Sequence, residues 1–294
     1  MTRSEFVKSS LAAGALMAFG SSAAAREREA LQLEIDEVRP EDYLKYLRNE
    51  KPASLPALKR LDDAFARVLE EVRTVQAGDI PAVWLVYNMG LVVKTRASCF
   101  SVDLVHRRAL ELSALSDFAL ISHIHSDHYM ESCYLAMNGA GKTVVSNFRD
   151  NYGTRGRNGA VGGYTRAEKT FVLGDVTVRT ALTDHNDYLT DFTTTFEIQA
   201  GGFTIFHTGD CSNVGKLNPS RSPDLWVVHP YCGMNVADGV RKFKPKKTVI
   251  GHLNELAHPR ERWRWTYQDG FKAKAAVEAA GAVAVVPDWG ERLA

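Results

Sequence analysis

The chain has 294 residues, 45% of them hydrophobic and 24% charged, and a formal net charge of +1. That is enough apolar material for one large domain with a small attachment. The near-balance of acids and bases argues against a nucleic-acid partner, which usually needs a basic stripe.

The first 25 residues read as an export signal. An apolar stretch, Leu11 to Phe19, follows Arg3 and Lys8 and leads into Ser21-Ser22-Ala23-Ala24-Ala25, an Ala-x-Ala type cleavage site. The stretch is short for a bilayer span, so no permanent membrane anchor is expected. Arg26 would open a periplasmic or secreted mature chain. Thr2 to Lys8 is similar to a twin-arginine signal, but Ser4 stands where the second arginine belongs, which leaves the route open.

Residues 26–80 are expected to form a helical extension. From Arg39 to Thr74, Leu58, Leu61, Phe65, Val68, Leu69 and Val72 recur at helical spacing, and Pro52 and Pro56 divide that stretch into two helices. From residue 81 to 294 apolar runs predict strands at Val83 to Tyr87, Leu91 to Lys94, Phe100 to Val105, Phe118 to Ser122 and Thr143 to Ser146. Further runs follow at Val176 to Leu182, Thr193 to Gln199, Phe203 to His207, Leu225 to Val228, Thr248 to Ile250 and Val283 to Val286. Helices are expected near Tyr129 to Ala136, Val236 to Phe243 and Gln268 to Ala280, giving a mixed α/β (α+β) catalytic domain.

Directly after the fourth run comes His123-Ile124-His125-Ser126-Asp127-His128. Three imidazoles and a carboxylate in six residues are the donors that zinc and similar divalent ions accept, and a strand end turning into a helix start points them toward two centres. His185, Asp210 and His252 each follow a later β-type run. A lone histidine at a strand end is commonly a surface residue.

The pattern resembles the signature of the metallo-β-lactamase superfamily, over roughly Pro81 to the C-terminus. The resemblance implies a four-layer αββα sandwich. It also implies two divalent ions, zinc first with manganese or iron as alternatives: His123, His125 and His185 for one, Asp127, His128 and His252 for the other, with Asp210 bridging. Asp103, which closes an early strand, would then orient a metal-bound histidine, and its alternative is an exposed strand-end carboxylate. The implied activity is hydrolysis by a metal-bound hydroxide, cleaving an ester, lactone or phosphodiester of a small molecule, with Asp127 and Asp210 as catalytic residues. His-Thr-Gly-Asp together with Lys244 to His252 looks most like the branch of ascorbate-6-phosphate lactonase and N-acyl phosphatidylethanolamine phospholipase D. A non-catalytic metal scaffold and a diiron-type redox enzyme are the alternatives. The second works with a flavin module, for which the 294 residues leave no room.

Arg149 to Lys169 is rich in glycine and arginine, and Arg155 and Arg157 are candidates for holding an anionic substrate, against the alternative of a solvated surface loop. His229 and Tyr231, just past a strand, are further substrate-site candidates. The four cysteines lack CxxC spacing, and Cys211, beside Asp210, is either a pocket residue or a small core residue. Oligomeric state is not readable.

Overall fold

The structure is a computed structural model and describes residues 23–50, 52–148, 163–164 and 168–294. Two seven-stranded sheets face each other. The first runs in the order β14-β1-β2-β3-β4-β5-β6, with β1 Ala82–Tyr87, β2 Gly90–Lys94, β3 Cys99–Val102, β4 Phe118–Leu120, β5 Thr143–Ser146, β6 Gly163–Tyr164 and β14 Glu291–Arg292. The second runs β13-β12-β11-β10-β9-β8-β7, with β7 Lys169–Leu173, β8 Val176–Thr183, β9 Thr193–Ala200, β10 Phe203–His207, β11 Leu225–Val228, β12 Lys247–Ile250 and β13 Val283–Val285.

Each sheet mixes hairpins with parallel crossovers. β7 to β10 form an antiparallel meander, whereas β10 to β13 are parallel. Parallel neighbours need long connections, supplied here by α6 (Val236–Phe243) between β11 and β12 and α7 (Tyr267–Ala279) between β12 and β13. In the first sheet α4 (Ala109–Leu115) and α5 (Glu131–Gly139) do the same between β3, β4 and β5. The inner faces bury Leu91, Val93, Phe100, Val102 and Leu120 against Val178, Phe196, Ile198, Val227 and Val249.

Helices cover both outer faces. Over the first sheet, α3 (Pro56–Thr74) sets Leu61, Phe65, Val68 and Leu69 in one core with Trp84 and Val92, and Glu71 accepts a 2.6 Å hydrogen bond from Trp84 Nε1. Over the second, Trp226 packs edge-on to Phe243 of α6, ring centroids 5.2 Å apart. The result is the expected αββα sandwich of mixed α/β class.

The stretch from Arg39 to Thr74 forms the two expected helices, α2 (Pro40–Leu47) and α3, and among the described residues α1 (Ala23–Asp36) precedes them. Pro40 and Pro56 each stand in a first helical turn, where the missing N–H costs nothing. Buried side chains of all three helices join one core with Trp84 and Val92 of the first sheet. Most of the expected export signal, residues 1–22, lies outside the described residues. The expected strand Phe100 to Val105 stops at Val102 because Asp103 takes a left-handed backbone (φ 46°). The run Phe118 to Ser122 stops at Leu120, and the residues beyond each stop enter the site.

Candidate metal centre

His123, His185, Asp210, His229 and His252 lie just past the C-terminal ends of β4, β8, β10, β11 and β12, so one rim of the sandwich carries all of them. Ligand sites of parallel α/β sheets gather at such strand ends. Two donor clusters form there: His123, His125 and His185, and Asp127, His128, Asp210 and His252.

Asp210 reaches both clusters. Its Oδ2 lies 3.9 Å from His123 Nε2, 3.4 Å from His185 Nε2 and 3.4 Å from His252 Nε2. Its Oδ1 lies 3.3 Å from His128 Nε2 and 3.2 Å from His229 Nδ1. Asp127 Oδ2 stands 3.0 Å from His252 Nε2 and 3.3 Å from His128 Nε2. His123 Nε2 and His125 Nδ1 are 3.1 Å apart.

The fit to metal rests on atoms that have no other use. His128 Nε2, His185 Nε2, Asp210 Oδ1 and both ring nitrogens of His229 are buried without a hydrogen-bond partner. Several orphaned donors around one carboxylate would be costly in a protein core, and they suit divalent cations that take imidazole and carboxylate ligands.

The groups behind the ligands fix their orientation. Asp103 Oδ2 sits 2.9 Å from His128 Nδ1 and also accepts from Ser122 Oγ at 2.6 Å, while Oδ1 accepts from the Ser122 N–H at 2.7 Å. The carboxylate therefore holds the Nδ1 proton of His128 and turns Nε2 inward. Asn88 donates through Nδ2 to the Asp127 backbone oxygen at 3.1 Å and to Oδ2 at 3.2 Å. Three of these residues, Asn88, Asp103 and His252, hold left-handed backbone at φ 54°, 46° and 55°, the kind of strain that clusters where function requires a particular side-chain direction. Gly209, also left-handed, has no room for a side chain: a Cβ would come within 2.9 Å of Ser122 and 2.8 Å of Thr193. His207 donates from Nε2 to the Met89 oxygen at 2.9 Å, tying β10 to the β1–β2 turn.

Charge is distributed unevenly. Burial pushes His123 well below the ordinary imidazole range, and it lowers His125 and brings His229 down to about 4. Against the same burial, Asp210 and Asp127 hold His128 well above that range and raise His252 to about 10. Despite burial, His252 and His128 keep Asp210 well below the carboxylate range, and His128 and His252 do the same for Asp127. Both carboxylates are thus anions at neutral pH, ready to offset cations.

Of the substrate-site candidates, His229 is buried at the centre, its ring stacked on His252 with centroids 3.8 Å apart, and Tyr231 lines the same cavity. Arg155 and Arg157 lie outside the described residues. Cys211 is a core residue, its Sγ 3.0 Å from Thr183 Oγ1. Cys232 is the cysteine at the centre instead, grouped with His185 and Asp210, and all four cysteines are free thiols. Two residues escaped the sequence reading. Phe192 packs on the rings of His123, His125 and His185 at 5.8, 5.1 and 5.9 Å, and Asn88 supports Asp127.

Solved structures share this arrangement of sheets and helices. Igni18, a metallo hydrolase from the archaeon Ignicoccus hospitalis, aligns at 19% identity over 72% of this chain and 97% of its own, with a TM-score of 0.54. YhfI, a metallo-β-lactamase fold protein from Bacillus subtilis, aligns at 15% identity over 72% of this chain and 98% of its own, with a TM-score of 0.55. The chain has the metallo-β-lactamase fold. That fold extends to CmlA, a diiron β-hydroxylase from Streptomyces venezuelae, at 13% identity, 74% of this chain, 54% of that one and a TM-score of 0.50. No family model and no curated protein matches the sequence. In this chain strand ends from both sheets meet at one rim, and that rim holds the donors.

Replacing Asp103 with Ala tests the supporting shell. It frees the His128 ring and leaves the Ser122 amide unpaired, so metal affinity should fall by about 10- to 100-fold. Competition with a chromophoric chelator reads the change, and an unchanged affinity would assign Asp103 a purely structural role.

Proposed function

We propose that the protein is a metal-dependent hydrolase that binds two divalent ions, zinc first, and cleaves an ester, lactone or phosphodiester bond of a small, anionic substrate. The reading is carried by the Asp210 carboxylate, whose two oxygens reach both donor clusters. One ion would be held by His123, His125 and His185 and the other by Asp127, His128 and His252, with Asp210 shared. Such ions lower the pKa of a bound water to about 7 and polarise the group to be cleaved.

The chain's own side chains supply orientation and proton handling. Asp103 and Ser122 keep imidazole protons on the sides of His128 and His123 that face away from the reacting group. Asn88 holds Asp127 so that its carboxylate can accept a proton from the attacking water. Phe192 shields the His123, His125 and His185 side of the site from bulk water.

A panel of lactones, carboxylic esters, thioesters, phosphodiesters and β-lactams on zinc-, manganese- and iron-loaded protein tests the reading. Turnover of one class, abolished by chelation and restored by metal, is expected; no turnover of any class with fully loaded protein would overturn it.

We also propose that the protein acts outside the cytoplasm, on the strength of the sequence of residues 1–25. No described helix is long and apolar enough to cross a membrane. Mass spectrometry of the protein from its native envelope fraction should find a chain beginning near Arg26, whereas an intact Met1 form in the cytoplasm would contradict this.

A further inference from the structure

A cavity of about 530 Å3 is lined by His125, Asp127, His185, Asp210 and His252 of the donor clusters and, in an aromatic stretch of its wall, by Tyr231, Trp263 and Trp265. Tyr231 and Trp265 stack with ring centroids 4.4 Å apart and planes 23° from parallel. Tyr231 is fixed at its other end, where its OH donates to the Asp269 oxygen at 2.6 Å. Trp263 is 55% exposed and has a left-handed backbone at φ 66°, uncommon and unfavourable for a bulky residue. An exposed indole held at such a cost beside a cavity is not explained by core packing, and strain of this kind collects at ligand clamps.

The wall is also built to be rigid. Arg264, only 4% exposed, spreads its guanidinium over four carbonyl oxygens: Ile35 at 3.2 Å, Val38 at 2.8 Å, Leu256 at 3.0 Å and His258 at 2.9 Å. The first two belong to the N-terminal helical segment, so that segment pins the loop carrying both tryptophans. The Asn254 N–H donates to the Trp265 oxygen at 2.6 Å and closes the loop on itself.

We propose that this wall is the subsite for a flat aromatic group carried by the substrate next to the bond that is cut, and that Arg264 is its positioning residue. Fixed rings favour a planar partner by offset stacking over a flexible alkyl chain of equal area, which must also lose its rotamer freedom on binding. The proposal rests on the hydrolase reading for the chemistry but not for the binding.

Zinc-loaded full-length protein would be titrated with three carboxylates that serve as product analogues, 2-naphthoate, octanoate and acetate, by calorimetry and tryptophan fluorescence. Naphthoate should bind more tightly than octanoate by roughly three- to tenfold. Trp263→Leu and Trp265→Leu should each remove most of that preference without changing zinc content or acetate binding. Arg264→Lys keeps the charge but loses the fork, and should weaken naphthoate alone. Equal affinity for naphthoate and octanoate, or tryptophan variants that keep the preference, would overturn the proposal. Naphthoate binding as expected with no hydrolysis of any panel substrate would sink the hydrolase reading and leave the subsite standing, and hydrolysis with alkyl preference would do the reverse.

Discussion

Asp210→Ala is expected to release metal from both halves of the site and to abolish most turnover, while His252→Ala keeps one ion and part of the activity. The carboxylate is buried and faces five imidazole rings, so it is the main negative charge shared by the two clusters. If each cluster holds a cation, removal of the carboxylate would leave the cations without the anion between them, in surroundings of reduced dielectric. Breaking a buried charge pairing by deleting one partner costs about 3–5 kcal/mol, which is on the order of 10^2 to 10^4 in metal affinity. Neither Asp184 nor Asp187 stands in reserve to replace Asp210. Asp184 is held by Lys216 at 2.6 Å and Asn213 at 2.9 Å, and Asp187 is exposed. His252→Ala removes one neutral donor from the second cluster and leaves the first intact. Metal content and turnover on both variants, beside circular dichroism, separate these outcomes. Two ions and near-normal rates in Asp210→Ala would show that the carboxylate is not shared.

Chelation should lower the melting temperature, and by more at pH 8 than at pH 6. An ion bound at a thousand times its Kd stabilises the folded state by about 4 kcal/mol, and in a domain of this size about 1 kcal/mol moves Tm by roughly 2–4 °C. The pH dependence follows from the protons that metal displaces. Asp210 and Asp127 raise His252 to about 10, so its ring is protonated across the neutral range and must lose that proton to ligate. His128 is raised for the same reason. Metal affinity therefore rises as pH climbs toward about 10. The same shift stabilises the metal-free fold in the opposite sense: a raised histidine contributes stability that is full below its unfolded pKa of about 6.5 and is lost as pH rises through the folded value. The depressed carboxylates contribute above about 3.9 and lose that contribution as pH falls through their folded values. Between pH 6 and 8 the histidine effects dominate, so the gap between loaded and chelated protein should widen with pH. A gap that narrows over this interval would contradict the charge distribution described for the site.

Some parts of this molecule were readable from sequence because their signal is local. His123 to His128 is a contiguous run of donors, and each later candidate stands where an apolar run stops, so strand ends and donors announce themselves together. The two-sheet fold followed from the same runs and from the resemblance they carry. What escaped notice depends on contacts across the sheets. Asn88 supports Asp127 from a two-residue turn 39 positions away, and Asn-Met-Gly gives only a turn signal. Phe192 precedes β9 and looks like any strand residue until it meets three histidine rings. β7 was passed over because it is an edge strand whose sequence, Lys169 to Leu173, lacks a continuous apolar face, and β14 is two residues long. For the N-terminal helices, amphipathic spacing shows that a face is buried without showing what covers it. In the fold that face meets the outer side of the first sheet, and the loop end of the same segment accepts from Arg264.

Elemental analysis of protein purified without chelator, run alongside the substrate panel on the same sample, tests the dinuclear hydrolase reading most directly. About two divalent ions per chain are expected, with turnover that rises in proportion to occupancy. A content well under one ion per chain after supplementation with zinc, manganese and iron would contradict it.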